Sequence, residues 1–397
     1  MWDAAFLSFL RRAVRAGTLD LTMPGGRTHR FGAGDPAVAI RLSDRALPRK
    51  LILNPEMALG EGYVDGSLTI AGEDVAGLVA LLARNSDAGH FPRAIEALRR
   101  ARKGARIVTQ WNPARRARRN VEHHYDLSAE FYALFLDADR QYSCGYFRSP
   151  QVTLEQAQID KKAHIARKLL LRPGLHVLDI GSGWGGMALS LARDHGVRVT
   201  GITLSPGQLA VAQARATEAG LADRVTFRLQ DYRDLDEPFD RVVSVGMMEH
   251  VGQPHYAAYF ATIARVLAPD GVALIHSIGR TSPPGGLSPW FRKYIFPGGY
   301  CPAFSEVAPA IENSHLRLAD LEVWRGHYER TLQHWRARFE TNLPQIRAMY
   351  DERFIRMWRY YLASAELSFS EQHQVVFQMQ LSHGRYTVPA TRDYLYP

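Results

Sequence analysis

Short apolar runs in the middle of the chain alternate with longer segments of helical periodicity. The five runs are His176–Ile180, Val197–Ile202, Val225–Leu229, Arg241–Gly246 and Val272–Ser277. Helical segments of about a dozen residues lie between the first three runs, and another lies between the fourth and the fifth. Because such alternation is typical of a parallel sheet with helices on both faces, it predicts an α/β fold.

The flanking regions show different patterns. Residues 1–16 have one apolar side and predict a short amphipathic helix, and residues 19–42 consist of strand-like pieces separated by glycines. Two more helices are predicted near Pro55–Gly62 and Glu73–Arg84, and the chain beyond Pro302 is predicted to be mostly helical. We therefore expect a smaller α+β domain at the N-terminus.

Composition narrows the class of protein. The chain has 397 residues, of which 46% are hydrophobic and 22% charged, as in globular proteins of more than one domain. Its two cysteines, Cys144 and Cys301, form neither a disulfide framework nor a metal-ligand cluster. We therefore expect no bound metal and a reducing, cytoplasmic location. No window approaches the ~18 apolar residues of a membrane-spanning helix, so a soluble or peripheral protein is expected.

The net charge of +9 is concentrated in one stretch. Residues 92–119 contain ten basic residues and one acid, and this difference of nine equals the net charge of the whole chain. A localised cationic segment suits an anionic surface of lipid or nucleic acid, although a solvated helix face also fits. No RNA- or DNA-reading motif is recognisable, so no nucleic-acid partner is expected. We predict an accessory, membrane-docking domain at 1–119 and a catalytic domain at 120–397.

A glycine-rich loop lies in the segment Val177–Gly186 and leads directly into a helix predicted at Met187–Arg193. Glycines allow a tight turn and a close approach of a ligand to the main chain, and open α/β sheets bind ligands at this edge. A lone Gly-x-Gly also occurs in dinucleotide-binding folds, but the spacing of the other glycines differs from theirs. Asp179 is placed to meet an amino-acid moiety, and Thr203–Gln208 lacks the acid that NAD enzymes place for the ribose. These features favour S-adenosylmethionine (SAM) as the cofactor.

Several sequence blocks together resemble the cyclopropane fatty acid synthase family, which includes the mycolic acid cyclopropane synthases. The blocks are His124–Ser128, Tyr142–Phe147, the glycine loop, Thr203–Gln208, Gly246–Gly252, His276–Gly279, Tyr294–Gly299 and His327–Trp335. The resemblance covers roughly residues 120–390. It implies a SAM-dependent enzyme with a Rossmann-like class I methyltransferase fold and added helical elements.

The resemblance also implies which residues hold the cofactor. Tyr142 and Ser143 would close over it, and Tyr232 would lie beside the adenine with Asp231 next to it, although a core role for Tyr232 remains open. The methionine portion and the ribose would lie along Val177, Leu178, Asp179, Ile180, Gly181, Ser182, Gly183, Trp184 and Gly185. The ribose contacts would continue along Thr203, Leu204, Ser205 and Gln208.

The reaction that the resemblance implies is methylene or methyl transfer to the cis double bond of unsaturated phospholipid acyl chains, giving cyclopropane fatty acids. An alkene is a weak nucleophile, so the sulfonium methyl of SAM drives the reaction, and ring closure then requires a proton to leave. A charged protein base in an apolar lipid slot would be costly. In the family a bound bicarbonate takes that role. It would be held by the side chains of Glu249, His276 and Tyr328 and by the backbone near Cys144 and Ile278.

Three alternative functions remain open at this point. The first is a methyltransferase on the same lipids that gives methyl-branched or methylene acyl chains. The second is a small-molecule N-methyltransferase, and the third is a non-catalytic nucleic-acid- or lipid-binding protein that uses the basic stretch. The implied partner is unsaturated phospholipid, which a cytoplasmic protein would contact peripherally at the inner face of the cell membrane. A homodimer is also left open.

Overall fold

The computed structural model describes residues 2–87 and 127–396 of the chain. The basic stretch at 92–119, the predicted boundary between residues 119 and 120, and the first three residues of the His124–Ser128 block lie outside these described residues. The interpretations that depend on them remain predictions.

The described residues contain ten β-strands and fifteen α-helices. The strands are β1 (Ala16–Thr22), β2 (Thr28–Leu42), β3 (Leu68–Ile70), β4 (His176–Ile180), β5 (Arg198–Thr203), β6 (Val225–Leu229), β7 (Phe239–Val245), β8 (Leu267–Arg280), β9 (Arg317–Trp324) and β10 (Gln374–Ser382). The helices are α1 (Trp2–Ala13), α2 (Leu47–Leu53), α3 (Pro55–Val64), α4 (Val75–Asp87), α5 (Ala129–Ala133), α6 (Leu154–Lys168), α7 (Gly186–His195), α8 (Pro206–Glu218), α9 (Met248–Val251), α10 (Tyr256–Val266), α11 (Pro289–Tyr294), α12 (Phe304–Glu312), α13 (His327–Thr341), α14 (Leu343–Met349) and α15 (Glu352–Ser370).

These elements form two compact units. The first unit comprises residues 2–87, 286–295 and 332–373, and the second comprises residues 127–285, 296–331 and 374–396. The first unit therefore includes two segments that follow the N-terminal region by about two hundred residues in the sequence. Among the residues that the structure describes, no helix is long and apolar enough to cross a lipid bilayer.

The first unit is built around an antiparallel sheet in the order β1–β2–β3. Its alternating apolar residues, such as Leu19 and Leu21 on β1, point inward and are buried, as expected for a strand with one solvated face. α15 packs against α3 and α4. The guanidinium of Arg359 on α15 donates to Glu340 at 2.6 Å and 2.8 Å. The predicted α+β architecture of the N-terminal region is confirmed.

The second unit contains a seven-stranded sheet in the order β6–β5–β4–β7–β8–β10–β9. Strands β4 to β8 pair in parallel, whereas β10 runs antiparallel to both β8 and β9. Each of the five apolar runs forms one of the parallel strands. The predicted α/β, Rossmann-like class I methyltransferase fold is thus confirmed.

The central strands are buried along most of their length because both faces of the sheet are covered. On β4, Val177 belongs to one apolar layer together with residues of α7 and α8, and Leu178 and Ile180 belong to the layer on the opposite face. The glycine loop therefore leaves the sheet from an interior strand, at the carboxyl edge where such sheets bind ligands.

The prediction of a mostly helical chain beyond Pro302 omitted two strands, β9 and β10. β10 is buried along almost all of its length and includes Gln378 and Gln380, which are fully buried. Polar residues inside an apolar run weaken the strand pattern, so this strand was not apparent from periodicity. Its insertion between β8 and β9 places its side chains beside those of β8.

Candidate active site

The glycine loop turns sharply between β4 and α7. Gly181 has a φ of +84°, in the left-handed region where a side chain would be strained. Gly186, the first residue of α7, is required for a different reason. A Cβ there would lie 2.6 Å from Oδ2 of Asp139 and closer still to Nε2 of Gln141. Gly186 therefore makes room for residues 137–143, which we call the cover segment.

The cover segment is held in place by charged groups. The carboxylate of Asp137 accepts the backbone N–H groups of Asp139 at 3.0 Å and of Gln141 at 2.8 Å, which forms a tight turn. The carboxylate of Asp139 forms ion pairs with Lys162 on α6 and Arg215 on α8. The last residues of the segment are thereby fixed opposite the glycine loop.

A cleft lies at the carboxyl edge of the sheet, between the cover segment, the glycine loop and the loops that follow β5, β6 and β7. Twelve of the residues predicted to bind the cofactor line this cleft. They are Tyr142, Ser143, Asp179, Ile180, Gly181, Ser182, Gly183, Trp184, Thr203, Leu204, Gln208 and Tyr232. These twelve residues come from four separate parts of the sequence, and the residues after β7 add a fifth part to the lining.

Asp179 is the buried acid of the cleft. It is only 2% exposed, and its Oδ2 has no hydrogen-bond partner among the described residues. Burial raises the pKa of Asp179 to about 7, although the nearby charge of Lys161 lowers it. A buried carboxylate oxygen without a donor is costly. The position therefore fits an ammonium group such as that of an amino-acid moiety.

Tyr232 lies where the core meets the cleft. It packs in the core, edge-on to Tyr259 with ring centroids 5.3 Å apart, and it also lines the cleft. The guanidinium of Arg233 lies 5.3 Å from the centre of the Tyr232 ring. The ring is therefore held in one orientation at the wall of the cleft.

Five residues predicted to bind the cofactor do not line the cleft. Three of them, Val177, Leu178 and Gly185, lie in β4 and in the glycine loop. Val177 and Leu178 are buried in the two apolar layers, because successive residues of a central strand point to opposite faces. A Cβ on Gly185 would lie 2.7 Å from the ring of Phe227. This glycine therefore permits packing of the loop against β6 and does not face the cleft.

The other two, Ser205 and Asp231, cap helical turns. The hydroxyl of Ser205 accepts the backbone N–H of Gln208 at 3.3 Å, at the start of α8. The carboxylate of Asp231 accepts two N–H groups of the Arg233 guanidinium, both at 2.8 Å. Their polar atoms are thus used within the protein, and they support residues that do line the cleft.

Several residues of the cleft were not predicted to bind the cofactor. They are Arg140, Gln141, Gly186, Met187, Ile202, Gln230, Arg233, Val245, Gly246, Met247, His250 and Val251. The sequence block Gly246–Gly252 could have indicated the last four of these residues, because it follows β7, the strand next to β4. The cover segment has no periodic pattern, so Arg140 and Gln141 carried no comparable signal.

A second group of side chains lies where β8, β10 and β9 meet. Cys144, Trp324 and Val376 form a small buried cluster, and Ile278 and Tyr328 pack against it. Three of the residues predicted to hold a bicarbonate are therefore neighbours in the structure. Two further contacts bring in the others.

The first contact joins Glu249 to Ile278. Oε1 of the buried Glu249 carboxyl accepts the backbone N–H of Ile278 at 2.6 Å, and Oε2 has no hydrogen-bond partner among the described residues. Burial raises the pKa of Glu249 to about 7, although the Ile278 N–H lowers it. Near neutral pH this carboxyl can therefore act either as a donor or as an acceptor toward a bound group.

The second contact places His276 against Trp324, with the two rings edge-on and their centroids 5.1 Å apart. Nδ1 of His276 lies 3.1 Å from the amide nitrogen of Gln378 on β10. With the amide nitrogen of Gln378 as the donor, Nδ1 accepts, and this assigns the ring hydrogen to Nε2. Burial holds the pKa of His276 well below its usual range. His276 is thus a neutral ring that donates from Nε2.

Cys144 contributes a neutral group. Its thiol is fully buried and donates to the carbonyl of Gly145 at 3.3 Å, and burial raises the pKa of the thiol. The N–H of Gly145 donates to the hydroxyl of Thr331 at 3.0 Å. This bond ties the first turn of α13, which carries Tyr328, to the chain beside Cys144. Because burial raises the pKa of the Cys144 thiol, a thiolate nucleophile is not favoured at this position.

Comparison with known proteins identifies the family. The family model described as mycolic acid cyclopropane synthetase matches residues 112–379, and a domain of unknown function matches residues 6–90. The cyclopropane-fatty-acyl-phospholipid synthase of Escherichia coli is 38% identical over 353 residues, which are 88% of this chain and 89% of that protein. The tuberculostearic acid methyltransferase UfaA1 of Mycobacterium tuberculosis is 33% identical over 368 residues, which are 88% of this chain and 84% of that protein.

Among solved structures, the mycolic acid cyclopropane synthase CmaA1 in complex with SAH and CTAB has a TM-score of 0.63 and 31% sequence identity. The similarity covers 68% of this chain and 99% of that chain. From the match over most of its length, this protein belongs to the mycolic acid cyclopropane synthetase family of SAM-dependent methyltransferases.

Proposed function

We propose that this protein transfers a methylene group from SAM to the cis double bond of unsaturated phospholipid acyl chains and so forms cyclopropane fatty acids. The observation that carries the proposal is the buried Glu249 carboxyl, which is held by the N–H of Ile278 and whose Oε2 has no hydrogen-bond partner among the described residues; His276, a neutral donor, lies two residues before Ile278 on β8. Such a pair can hold a small anionic base in a site that a lipid chain would keep dry.

The cofactor would lie in the cleft at the carboxyl edge of the sheet. When bound, SAM supplies an electrophilic methyl group on a sulfonium. Asp179 would accept hydrogen bonds from the ammonium group, and the wall around Tyr232 would receive the adenine. Ser143 would close the opposite side. The protein's contribution here is to bind and orient the cofactor and to exclude water.

We assign the anion site to the cluster around Cys144. A bicarbonate held there would supply the base that ring closure requires. His276 would donate to it from Nε2, and Tyr328 would donate from its hydroxyl. Glu249 near its pKa would share a proton with it through Oε2. The sequence predicted that the backbone near Ile278 contacts the bicarbonate directly. In this proposal the N–H of Ile278 instead donates to Glu249 and orients that carboxyl.

The lipid substrate requires contact with a membrane. The Escherichia coli relative is named for fatty acyl phospholipids, and we extend that substrate class to this chain. We propose a cytoplasmic enzyme that docks peripherally on the inner face of the membrane. The basic stretch at 92–119 would contact anionic headgroups, each well-placed basic residue contributing about 1 kcal/mol. In α1, Trp2 is partly exposed and offers a second, apolar contact.

The decisive experiment is the analysis of products from phospholipid vesicles. The protein is incubated with SAM and unsaturated phospholipid, and the acyl chains are analysed as methyl esters by gas chromatography and mass spectrometry. We expect acyl chains that are heavier by one CH2 group and resist hydrogenation, as a ring does. Glu249→Gln protein serves as the control for background products. A product of the same mass that takes up hydrogen would exclude ring closure.

A second candidate is methyl transfer without ring closure. It is favoured by the similarity to the tuberculostearic acid methyltransferase of Mycobacterium tuberculosis. This reaction would give methyl-branched or methylene acyl chains from the same lipids. A methylene chain arises when the cation loses a proton and keeps a double bond, so it gains mass on hydrogenation. A saturated methyl-branched chain resists hydrogenation as a ring does, but its cation must accept a hydride from an added reductant, so this product is heavier than the ring product by two hydrogen atoms.

A further inference from the structure

Lys161 is a fully buried lysine that lies directly behind the cofactor cleft. It projects from α6, and its Nζ donates to Oε1 of Gln141 at 2.8 Å and to the hydroxyl oxygen of Ser143 at 2.7 Å. Gln141 and Ser143 both belong to the cover segment, and both line the cleft. The lysine is thus separated from the ligand space by the two side chains that it holds.

The chemistry of an ammonium group determines how these side chains point. An ammonium only donates hydrogen bonds, so both Oε1 of Gln141 and the oxygen of Ser143 must accept. The amide nitrogen of Gln141 is then turned toward Asp139, whose Oδ2 it reaches at 3.1 Å. The hydrogen of the Ser143 hydroxyl is left to donate to another group. Lys161 therefore makes Ser143 a donor.

The surroundings of Lys161 do not explain its burial by simple ion pairing. Among the described residues, no carboxylate oxygen lies within 4.0 Å of its Nζ, and the nearby Asp137 and Asp139 are engaged by other donors. Burial lowers the pKa of Lys161 to about 7, and the charge of Asp137 opposes this shift. An anion bound at Ser143 would stabilise the charged lysine further.

We propose that Lys161 is a positioning residue that presents the Ser143 hydroxyl as a donor to the carboxylate of the cofactor's amino-acid part. The inference rests on the proposed location of SAM in this cleft. Asp179 offers an acceptor in the same cleft, so the two residues match the two charges of an amino acid. The adenosine part of the cofactor makes no contact in this scheme with Lys161 or with Ser143.

The test compares two ligands that differ in the amino-acid part. Dissociation constants are measured by calorimetry for S-adenosylhomocysteine and for 5′-methylthioadenosine, which lacks the ammonium and carboxylate groups. We expect Lys161→Met to weaken S-adenosylhomocysteine about tenfold, the effect of one charge-assisted hydrogen bond, and to leave methylthioadenosine within about twofold. Equal losses for both ligands would show that Lys161 only maintains the fold, and this result would overturn the proposal.

Lys168→Met is the matched control. Lys168 is equally buried on the same helix but pairs with Glu322 at 2.5 Å and Asp320 at 3.4 Å, neither of which lines the cleft. We expect this variant to lose thermal stability as Lys161→Met does and to bind both ligands as the wild type does. A selective loss of S-adenosylhomocysteine in Lys168→Met would remove the support for a specific role of Lys161.

Two further variants keep the test decisive. If Lys161→Met does not fold, Ser143→Ala is measured with the same two ligands, and it too must weaken only S-adenosylhomocysteine. If Lys161→Met folds, the double variant Lys161→Met/Ser143→Ala must bind no more weakly than Ser143→Ala alone, because the lysine acts through the serine.

Asp179→Asn distinguishes a failure of the proposed cofactor site from a failure of the proposed role of Lys161. If Asp179→Asn binds normally, the cleft is not the cofactor site, whereas a weakened Asp179→Asn with a normal Lys161→Met refutes the positioning role only.

Discussion

The side chain of Glu249 and the main chain of Ile278 are joined by a 2.6 Å hydrogen bond, although 29 residues separate them in the sequence. Glu249 lies on the short helix α9 after β7, and Ile278 lies near the end of β8, the next strand in the sheet. Their contact directs one carboxyl oxygen at the backbone, and the other has no hydrogen-bond partner among the described residues. The bond to Ile278 therefore fixes the orientation of the carboxyl.

Glu249→Gln is expected to lower kcat about 100-fold with little change in the affinity for S-adenosylhomocysteine. The amide keeps an oxygen for the Ile278 N–H but cannot exchange a proton. Glu249 does not line the cofactor cleft, so cofactor binding is not expected to change. Steady-state turnover at saturating SAM and calorimetry measure the two effects.

Glu306→Gln is the control for this prediction, because Glu306 also accepts a backbone N–H, that of Ala303 at 3.0 Å, but lies outside the cleft and the anion site. Wild-type turnover in Glu249→Gln, or an equal loss in Glu306→Gln, would contradict the proposed role.

Cofactor affinity is expected to fall as the pH drops below about 7. The pKa of Asp179 is raised to about 7 by burial, despite the nearby charge of Lys161, so the carboxyl gains a proton as the pH falls through this value. A neutral acid no longer attracts the ammonium group. Lys161, whose pKa is also about 7, gains charge over the same range and opposes this loss. The dissociation constant of S-adenosylhomocysteine should therefore rise by less than about tenfold per pH unit, the limit for one titrating group.

In Asp179→Asn the same constant should be high at every pH, and calorimetry across about pH 6 to pH 8 measures both profiles. The prediction fails if the wild-type profile is flat, or if the variant retains the same slope.

Gln378→Leu is expected to lower kcat about tenfold, the equivalent of one hydrogen bond. The change removes the donor to Nδ1 of His276, so the ring hydrogen is no longer confined to Nε2. Gln380→Leu is the matched control, since Gln380 is equally buried on β10 but donates to the carbonyl of Lys168. Both variants should unfold at lower temperature in a thermal melt, but only Gln378→Leu should show the additional loss in kcat. Similar kcat values in the two variants would argue against a specific effect on His276.

Gly186→Ala is expected to weaken S-adenosylhomocysteine binding about tenfold or more. The added methyl group would meet Asp139 and Gln141 and would push the cover segment away from the glycine loop, with the loss of at least one hydrogen bond to the ligand. Gly207→Ala provides the comparison, because Gly207 is also in the first turn of a helix and a Cβ there would lie 4.0 Å from its nearest neighbour. Calorimetry should detect normal binding in Gly207→Ala. Normal binding in both variants would mean that the cover segment does not close the site.

Membrane docking is expected to depend on salt. Co-sedimentation with vesicles that contain anionic phospholipid should decrease as the salt concentration rises, because exposed charges are screened beyond about 10 Å at 0.1 M salt. Charge reversal at Arg99, Arg100, Arg102 and Lys103 should reduce binding at low salt, and vesicles of neutral phospholipid serve as the control. If the bound fraction changes neither with salt nor with charge reversal, the electrostatic part of the docking proposal is refuted.

The sequence by itself determined the parallel core of the sheet and the place of the glycine loop. The strands that begin at His176 and Val225 were predicted at their observed bounds, because short apolar runs that alternate with helical segments are typical of a parallel sheet. The loop after β4 was recognisable because left-handed turns and close approaches require glycine, as at Gly181. These are local requirements, and a local sequence can express them.

Only the tertiary structure decided which side chains meet across the chain. The hydrogen bond between His276 and Gln378 depends on the insertion of β10 between β8 and β9. The periodicity of a single strand does not predict the order of strands in a sheet. The burial of Lys161 behind Ser143 likewise depends on how α6 packs against an irregular segment. Such contacts arise from long-range packing, whose free energy is shared among many residues, so no short pattern reveals them.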